Sequence, residues 1–249
     1  MMKRAFALTA AAAVLAGLAA GPARADLMLV APVDFDGTGL GSVNTILTIT
    51  SPRNTTFEQG SVGRLPGNPN DVLMGDTLTG ASQTLTRTIG SLGITSASNI
   101  RVIFNAVEPA GNDITLGSLV LSIYDPAGNR LFSSGSVTCP SLGGACNFPN
   151  TFTGAGNSGF VFALTPAQAA QAQTFAFGAG FANNRIGLSA SAGNANGGFG
   201  SATGGFETFF VANAGGTVVT PVPEPETYAL MMAGLGALGF VARRRKLRK

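Results

Sequence analysis

The sequence predicts an all-β fold, an antiparallel β-sandwich of the jelly-roll-like type that contains one short helix. Short runs of Val, Ile, Leu and Phe recur between turn-forming residues, which is the pattern of strands. Gly, Ser, Thr and Asn are abundant and only 11% of residues are charged, a composition that disfavours long helices. Between the two chain ends, one segment carries clear helix-start signals. We assign this β domain to residues 26–212.

Alternating or continuous apolar runs mark the strands of the first half of the domain. Asp-Gly-Thr-Gly at 36–39 supplies turn residues between the first two runs. The Pro-, Gly- and Asn-rich stretch 51–80 predicts a long loop with two short strands inside it. The predicted strands are 27–30, 44–50, short segments around Phe57 and 72–74, then 82–89 and 99–107.

The clearest hairpin of the chain lies in the second half. Its turn is Asp-Pro-Ala-Gly-Asn at 125–129, where Pro and Gly provide the required backbone angles. The Gly-, Ala- and Asn-rich stretch 190–205 fits a loop or a flat edge strand, and we expect a loop. The predicted strands of this half are 118–124, 130–134, 159–164, 174–180, 185–192 and 205–211.

The one predicted helix of the domain spans residues 166–173. Thr165 is suited to cap its amino end, and Pro166 occupies the first helical position, where a missing N–H costs nothing. Gln168 stands three residues after the cap, which completes a capping box.

The amino-terminal segment 1–25 has the three parts of a secretory signal peptide. Lys3 and Arg4 form a charged start, an Ala- and Leu-rich apolar stretch follows at 5–20, and Ala-Arg-Ala at 23–25 matches a small-x-small cleavage pattern. We expect a signal helix here and cleavage between Ala25 and Asp26.

The carboxyl end combines a stiff motif, an apolar segment and a basic cluster, after a linker at 213–221. Prolines flank Glu224 and keep that stretch extended. The uncharged segment 227–242 predicts a single transmembrane helix, which at about 24 Å is short against roughly 30 Å of hydrocarbon. The basic cluster 243–249 is expected to stay cytoplasmic, which places the β domain outside the membrane. The motif residues are Pro223, Glu224 and Pro225, and the basic anchor is Arg243, Arg244, Arg245 and Lys246.

This order of features over residues 222–249 resembles the PEP-CTERM sorting signal of Gram-negative bacteria. An ordinary tail anchor would explain the span and the charges but not Pro-Glu-Pro. The resemblance implies export through the Sec and signal peptidase machinery, a transient stay in the inner membrane, and cleavage by an exosortase in species that make exopolysaccharide. The mature protein is then expected at the outer surface or outside the cell.

The basic residues are concentrated in the two targeting ends. Although the whole chain carries a formal charge of +3, six arginines and ten acids lie between Asp26 and Glu207, so this part has a net charge of about −4. A nucleic-acid partner is therefore not expected.

Cysteine and histidine usage restricts the chemistry. The chain contains no histidine, which removes Ser-His-Asp and Cys-His catalytic arrangements and the commonest zinc ligand. Cys139 and Cys146 are the two cysteines, and in an oxidising compartment they are expected to form a disulfide. A redox role would favour two cysteines separated by only two residues and placed beside a helix.

Acidic residues offer two further hypotheses. Asp34 and Asp36 begin a stretch that resembles the start of a calcium loop, although a distal Glu ligand is missing and a solvated turn also fits. Asp71 and Asp76 could add oxygens. A glycan hydrolase would need two nearby carboxylates, for which the candidates are Glu58, Glu108, Asp113 and Asp125.

The expected function is that of a non-catalytic surface or matrix protein, structural or adhesive, linked to exopolysaccharide or biofilm. We expect no cofactor other than calcium. A calcium-dependent adhesion or carbohydrate-binding module is the alternative, followed by a glycan hydrolase.

Overall fold

The structure is a computed structural model that describes residues 26–31, 44–51, 55–80, 83–106, 113–139, 142, 145–148 and 159–214. Within these ranges the chain is mostly β, with two sheets and one short α-helix. The strands are β1 (Asp26–Ala31), β2 (Asn44–Thr50), β3 (Phe57–Gly63), β4 (Val72–Gly75), β5 (Arg87–Thr88), β6 (Ile100–Asn105), β7 (Ile114–Tyr124), β8 (Arg130–Ser133), β9 (Gly135–Thr138), β10 (Asn147–Phe148), β11 (Phe160–Leu164), β12 (Arg185–Gly193) and β13 (Phe206–Asn213), and the helix is α1 (Pro166–Ala176).

Sheet 1 has the strand order β2-β13-β6-β11-β1-β9. Its pairs are antiparallel except β1 with β9, which run parallel. A purely antiparallel arrangement, as predicted from the sequence, is therefore wrong at this edge. The reason is that the chain leaves β8 in sheet 2 and enters β9 in sheet 1 across Ser134. The buried Ser134 stays tied to β7, because its N–H donates to Leu121 O at 2.8 Å while its hydroxyl accepts from Leu121 N–H at 2.9 Å.

Sheet 2 has the path β10-β7-β12-β3-β4, with β5 paired to β12 and β8 paired to β7. The predicted hairpin is confirmed as β7 and β8. At its turn, Asp125 accepts hydrogen bonds from the main chain and side chain of Asn129 at 2.9 and 2.8 Å. The longest pairing joins β7 to β12 over eight register positions, so these two strands form the middle of the sheet.

The two sheets share one main hydrophobic core. Because successive side chains of a strand point to opposite faces, Leu119, Leu121 and Ile123 of β7 all point into this core, where they are fully buried. Four phenylalanines form its aromatic part, with ring centroids 5.0 Å apart for Phe104–Phe209 and 3.9 Å apart for Phe148–Phe160. Burial of each such side chain contributes about 1.5–3 kcal/mol, and the four rings join strands of both sheets in one core.

Helix α1 begins as predicted and ends later than predicted. Both bonds of the capping box form between Thr165 and Gln168, and Pro166 is the first helical residue. The helix then continues to Ala176, so the strand predicted at 174–180 is wrong. Asn184 donates its side-chain amide to Ala176 O at 2.8 Å, which satisfies a carbonyl at the helix end, and turns follow up to β12.

The strand predicted at 82–89 is also wrong, since only Arg87 and Thr88 pair in a sheet. Hydrogen bonds between side chains and main-chain N–H groups take the place of strand pairing here. Thr84 Oγ1 accepts from Thr48 N–H at 3.1 Å, and Asp71 Oδ2 accepts from Thr86 N–H at 2.7 Å. The segment therefore runs past the edge of β2 without a continuous ladder.

The remaining strand predictions among the described residues are confirmed, with shifts of their ends, whereas β9 and β10 were not predicted. Of the loop expected at 190–205, residues 194–205 form a loop, but 190–193 belong to β12. The predicted signal peptide with Ala25, the calcium-loop residues Asp34 and Asp36, Glu108 and the carboxyl-terminal motif, span and basic anchor lie outside the described residues. No helix within the described part is long and apolar enough to cross a membrane.

The predicted disulfide joins Cys139, at the end of β9, to Cys146, just before β10. The Cα atoms are 5.2 Å apart, and both cysteines are buried in the core. Cys146 O accepts from Leu116 N–H at 2.9 Å, so the closed loop is anchored to β7.

Replacing both cysteines by alanine is expected to lower the free energy of unfolding by about 2–3 kcal/mol, because the short loop is no longer closed in the unfolded chain. Urea denaturation with and without reductant measures this. Reductant should shift the midpoint of the wild type towards that of the double variant and leave the double variant unchanged; a wild type insensitive to reductant would contradict the assignment.

Candidate functional site

The outward surface of sheet 2 is lined by small hydroxyl side chains. In β12 the residues Ile186, Leu188, Ala190 and Ala192 are buried in the core, so the alternate residues point away from it. The outward positions of β3, β7, β8 and β12 together make a surface that we name the serine face. It consists of Ser61, Ser118, Ser122, Ser133, Ser189 and Ser191.

Strand register places these serines in rows across the sheet. Ser189 lies opposite Ser61 on β3 and opposite Val120 on β7. The next row along contains Ser191 and Ser118, whose hydroxyl oxygens are 2.8 Å apart. Residues in register on neighbouring strands are about 5 Å apart at Cβ, so the serines that face each other, Ser61 with Ser189 and Ser118 with Ser191, lie close together.

Tyr124 lies at one end of the serine face and leans over two glycines. A Cβ added to Gly63 would be 2.6 Å from the Tyr124 hydroxyl, and one added to Gly187 would be 3.2 Å from the tyrosine ring. The added Cβ of Gly187 would also be 2.4 Å from Val62 O. Glycine at these positions therefore leaves the space in which the ring lies.

An ion-pair network borders the same end. Arg64 Nη1 lies 3.3 Å from Asp71 Oδ1, and both side chains are largely buried, with 9% and 16% exposed. Asp71 in turn accepts from the Thr86 hydroxyl at 2.6 Å, and Arg185 Nε donates to that hydroxyl at 2.6 Å. The Nε of Arg64 is buried and has no hydrogen-bond partner in the described part of the chain.

Two adjoining cavities follow the serine face. One, of about 270 Å³, lies beside Tyr124, Arg64 and Arg130, and the other, of about 280 Å³, lies beside Gln59 and Ser191. Ser61, Met74 and Ser189 line both, so they form one groove. Exposed Met74 adds an apolar surface to its side. Hydroxyl groups beside an exposed apolar side chain are groups that can contact a polyhydroxylated chain.

The acids predicted from sequence do not gather in this groove. Asp113 precedes β7 and Asp125 follows it, so roughly 35 Å of extended strand separates them. Asp113 accepts a hydrogen bond from Gly200 N–H. Asp125 belongs to its own turn, where the hydrogen bond from the Asn129 side chain holds its pKa below the usual range. Asp76 accepts from Gln59 N–H at 3.1 Å.

Two glutamates lie in the interior. Glu58 of β3 and Glu207 of β13 are both fully buried. Sequence reasoning named Glu58 only as a candidate acid near a turn and missed Glu207. The available signal was the alternation of β13, in which Glu207 shares the inward face with Phe209 and Val211. Within the described ranges, no three acidic or cysteine side chains come together as a group that could hold a metal ion.

Comparison with known protein families gives a match at the carboxyl end. A family model described as the PEP-CTERM protein-sorting motif matches residues 221–246. The chain carries a PEP-CTERM sorting signal. This match confirms the sequence-based recognition of Pro223, Glu224 and Pro225 as part of such a segment. No curated protein and no solved structure matches the chain.

The PEP-CTERM motif gives the chain its destination. Proteins with this motif are exported, processed by exosortase and sorted to the cell surface. The motif covers only the carboxyl-terminal segment, whereas the groove is formed by residues of β3, β4, β7, β8 and β12.

Proposed function

We propose that the exported β domain is a non-catalytic component of the extracellular matrix that binds exopolysaccharide through the groove of the serine face. The groove is the observation that carries this proposal. It runs along several residues of β3, β7 and β12, so its length fits an extended chain better than a compact small molecule. The PEP-CTERM motif supports it, because a surface-sorted protein meets this polymer directly.

The chemistry of the groove favours binding over hydrolysis. Its serines have no histidine to activate them, since the chain contains none. Asp71, the carboxylate that borders the groove through its ion pair with Arg64, is engaged by Arg64 and Thr86 rather than left for acid–base work. A structural or adhesive role in a biofilm, on a jelly-roll-like sandwich, is the finer form of the proposal.

A calcium-dependent adhesion module remains the alternative. Asp34 and Asp36 are the predicted oxygen ligands for it.

Processing gives the first test. Cleavage at the signal peptide and near Pro-Glu-Pro should yield a protein that begins at Asp26 and lacks residues 243–249. Intact-mass measurement on protein recovered from its native host checks both ends. Retention of Arg243–Lys249 in the mature protein would contradict exosortase processing of this chain.

Blocking the groove gives the second test. Ser189 lines both cavities and is exposed, so Ser189→Leu is expected to fill the groove while the inward face of β12 stays unchanged. We expect at least about tenfold weaker binding, equivalent to ~1.4 kcal/mol, in co-sedimentation with the producer's own exopolysaccharide.

The matched control is Ser136→Leu on β9, another exposed strand serine, which lies in sheet 1. This variant should bind like the wild type. Equal binding by wild type and Ser189→Leu, with both folded by circular dichroism, would overturn the proposed site, and no binding by the wild type would overturn the function.

A further inference from the structure

A second groove lies on the outward face of sheet 1, beside helix α1. Strand register places Met28 of β1, Ala163 of β11 and Arg101 of β6 in one row across the sheet. Ile100 and Val102, on either side of Arg101, are buried in the core, so the row faces away from it. This cavity of about 530 Å³, which we name the α1 groove, is therefore on the opposite sheet from the serine face.

Helix α1 forms one wall of the α1 groove through Pro166, Ala169 and Ala170. The helix is held in place by Gln173, whose side-chain oxygen accepts from Ala97 N–H at 2.9 Å. Most of the lining is apolar, so the groove can accept an apolar ligand surface. The strands and the turn before β6 contribute the rest of the lining, which consists of Met28, Val30, Ser96, Ser98, Arg101, Ala163 and Leu164.

Arg101 brings a positive charge into this apolar groove. Its Nη1 donates to Ser98 O at 2.8 Å and to Ile100 O at 2.9 Å, and these bonds fix the guanidinium at the groove. Among the described residues no carboxylate forms an ion pair with it. Partial burial lowers the pKa of Arg101, because water is removed from around the charge. A carboxylate in the groove would compensate for that lost water with charge-assisted hydrogen bonds.

The carboxyl-terminal strand leads the chain to the same groove. Ala212 of β13 pairs in register with Arg101, and Ala214 N–H donates to Asn99 O at 2.8 Å. Ala214 is the last described residue, two positions or about 7 Å along the strand from the row of Arg101. The segment that follows Ala214 therefore starts at the end of the α1 groove.

The sequence of that following segment complements the groove. Gly215 and Gly216 allow the chain to reverse its direction. The stretch Pro221–Glu226 then alternates prolines with Val222, Glu224 and Glu226 and contains no basic residue. Ten residues separate Ala214 from Glu224 and can span up to about 33–36 Å, which is ample for a return over the groove.

We propose that the α1 groove binds this chain's own segment Pro221–Glu226, with Arg101 paired to Glu224 and Val222 and Pro225 against the apolar lining. A proline-rich segment is already extended with three residues per turn, so Val222 and Pro225 lie on one side and little conformational freedom is lost on binding. The segment contains the Pro-Glu-Pro motif, so the docked motif is covered by the folded domain until exosortase draws it away. Polysaccharide binding at the serine face is not required for this contact.

Disulfide trapping tests the contact in the full chain. The host strain should lack exosortase, so that residues 222–249 are retained. Ser98 is exposed at the groove, so Ser98→Cys combined with Val222→Cys is expected to form a disulfide on mild oxidation, detected as a linked peptide by mass spectrometry. The native cysteines stay paired with each other, because their disulfide is buried.

The matched control pairs Val222→Cys with Ser189→Cys, an equally exposed position on the serine face of sheet 2. Its yield should be at least about tenfold lower, because a docked segment has a high effective concentration only at the α1 groove.

Charge reversal separates the ion pair from simple proximity. Arg101→Glu and Glu224→Arg should each lower the yield of the Ser98–Val222 link about fivefold or more, since like or missing charges weaken the contact. The two changes together should restore it. Glu224→Arg lies outside the β domain, so unfolding of the domain cannot explain its effect. Arg130→Glu, an exposed arginine on β8 of sheet 2, should leave the yield unchanged.

Three results would overturn the proposal. One is an equal yield at Ser98 and Ser189, which indicates a segment that does not dock. Another is a Ser98–Val222 yield that neither charge reversal changes. The third is a linked peptide that joins two chains in a mixture of isotope-labelled and unlabelled protein, which would assign the α1 groove to a second copy.

Discussion

The alternation of side chains along β12 is the constraint on which the rest of the domain depends. Its aliphatic residues face the core and pack against the inward residues of sheet 1, while Ser189 and Ser191 face outward. A shift of one residue in register would exchange these two sets. Pairing with β7 on one side and β3 on the other fixes that register, and it extends the same division of faces across the sheet.

The small size of the outward residues gives sheet 2 its groove. Large side chains at Gly63, Gly187 and Ser189 would fill the space that Tyr124 and the two cavities now occupy. The resulting surface mixes hydroxyl groups with the apolar side chain of Met74, which is suited to contact with a solvated polymer. The PEP-CTERM motif directs the exported protein to the cell surface.

Local patterns predicted most of the strands and the start of the helix. Alternation located β2, β12 and β13, and the capping box located the first turn of α1, because each of these signals is contained in a few neighbouring residues. The strand prediction for 174–180 was wrong because Phe and small residues alternate there as they do in a strand. The helix that begins at Pro166 instead continues through Ala176. The strand prediction for 82–89 was wrong because the hydrogen-bond partners of this segment, Thr48 and Asp71, are distant in sequence.

The candidate sites depended on long-range placement and could be predicted only in part. The serines are visible in the sequence, but their assembly into one surface requires the register of four strands. Glu207 gave a signal, as an acid at an inward position of an apolar strand, but its complete burial depends on the packing of the strands around it. The sorting motif was fully predictable, because its function resides in a contiguous segment.

The central claim is that the outward face of sheet 2 is the surface at which this exported domain meets its polymer. The most direct measurement is a chemical-shift titration of isotope-labelled protein with oligosaccharides cut from the producer's exopolysaccharide. The account predicts the largest amide shifts at Ser61, Tyr124, Ser189 and Ser191, with Ser136 of sheet 1 unchanged. Shifts concentrated on sheet 1, with the serine face unaffected, would contradict it.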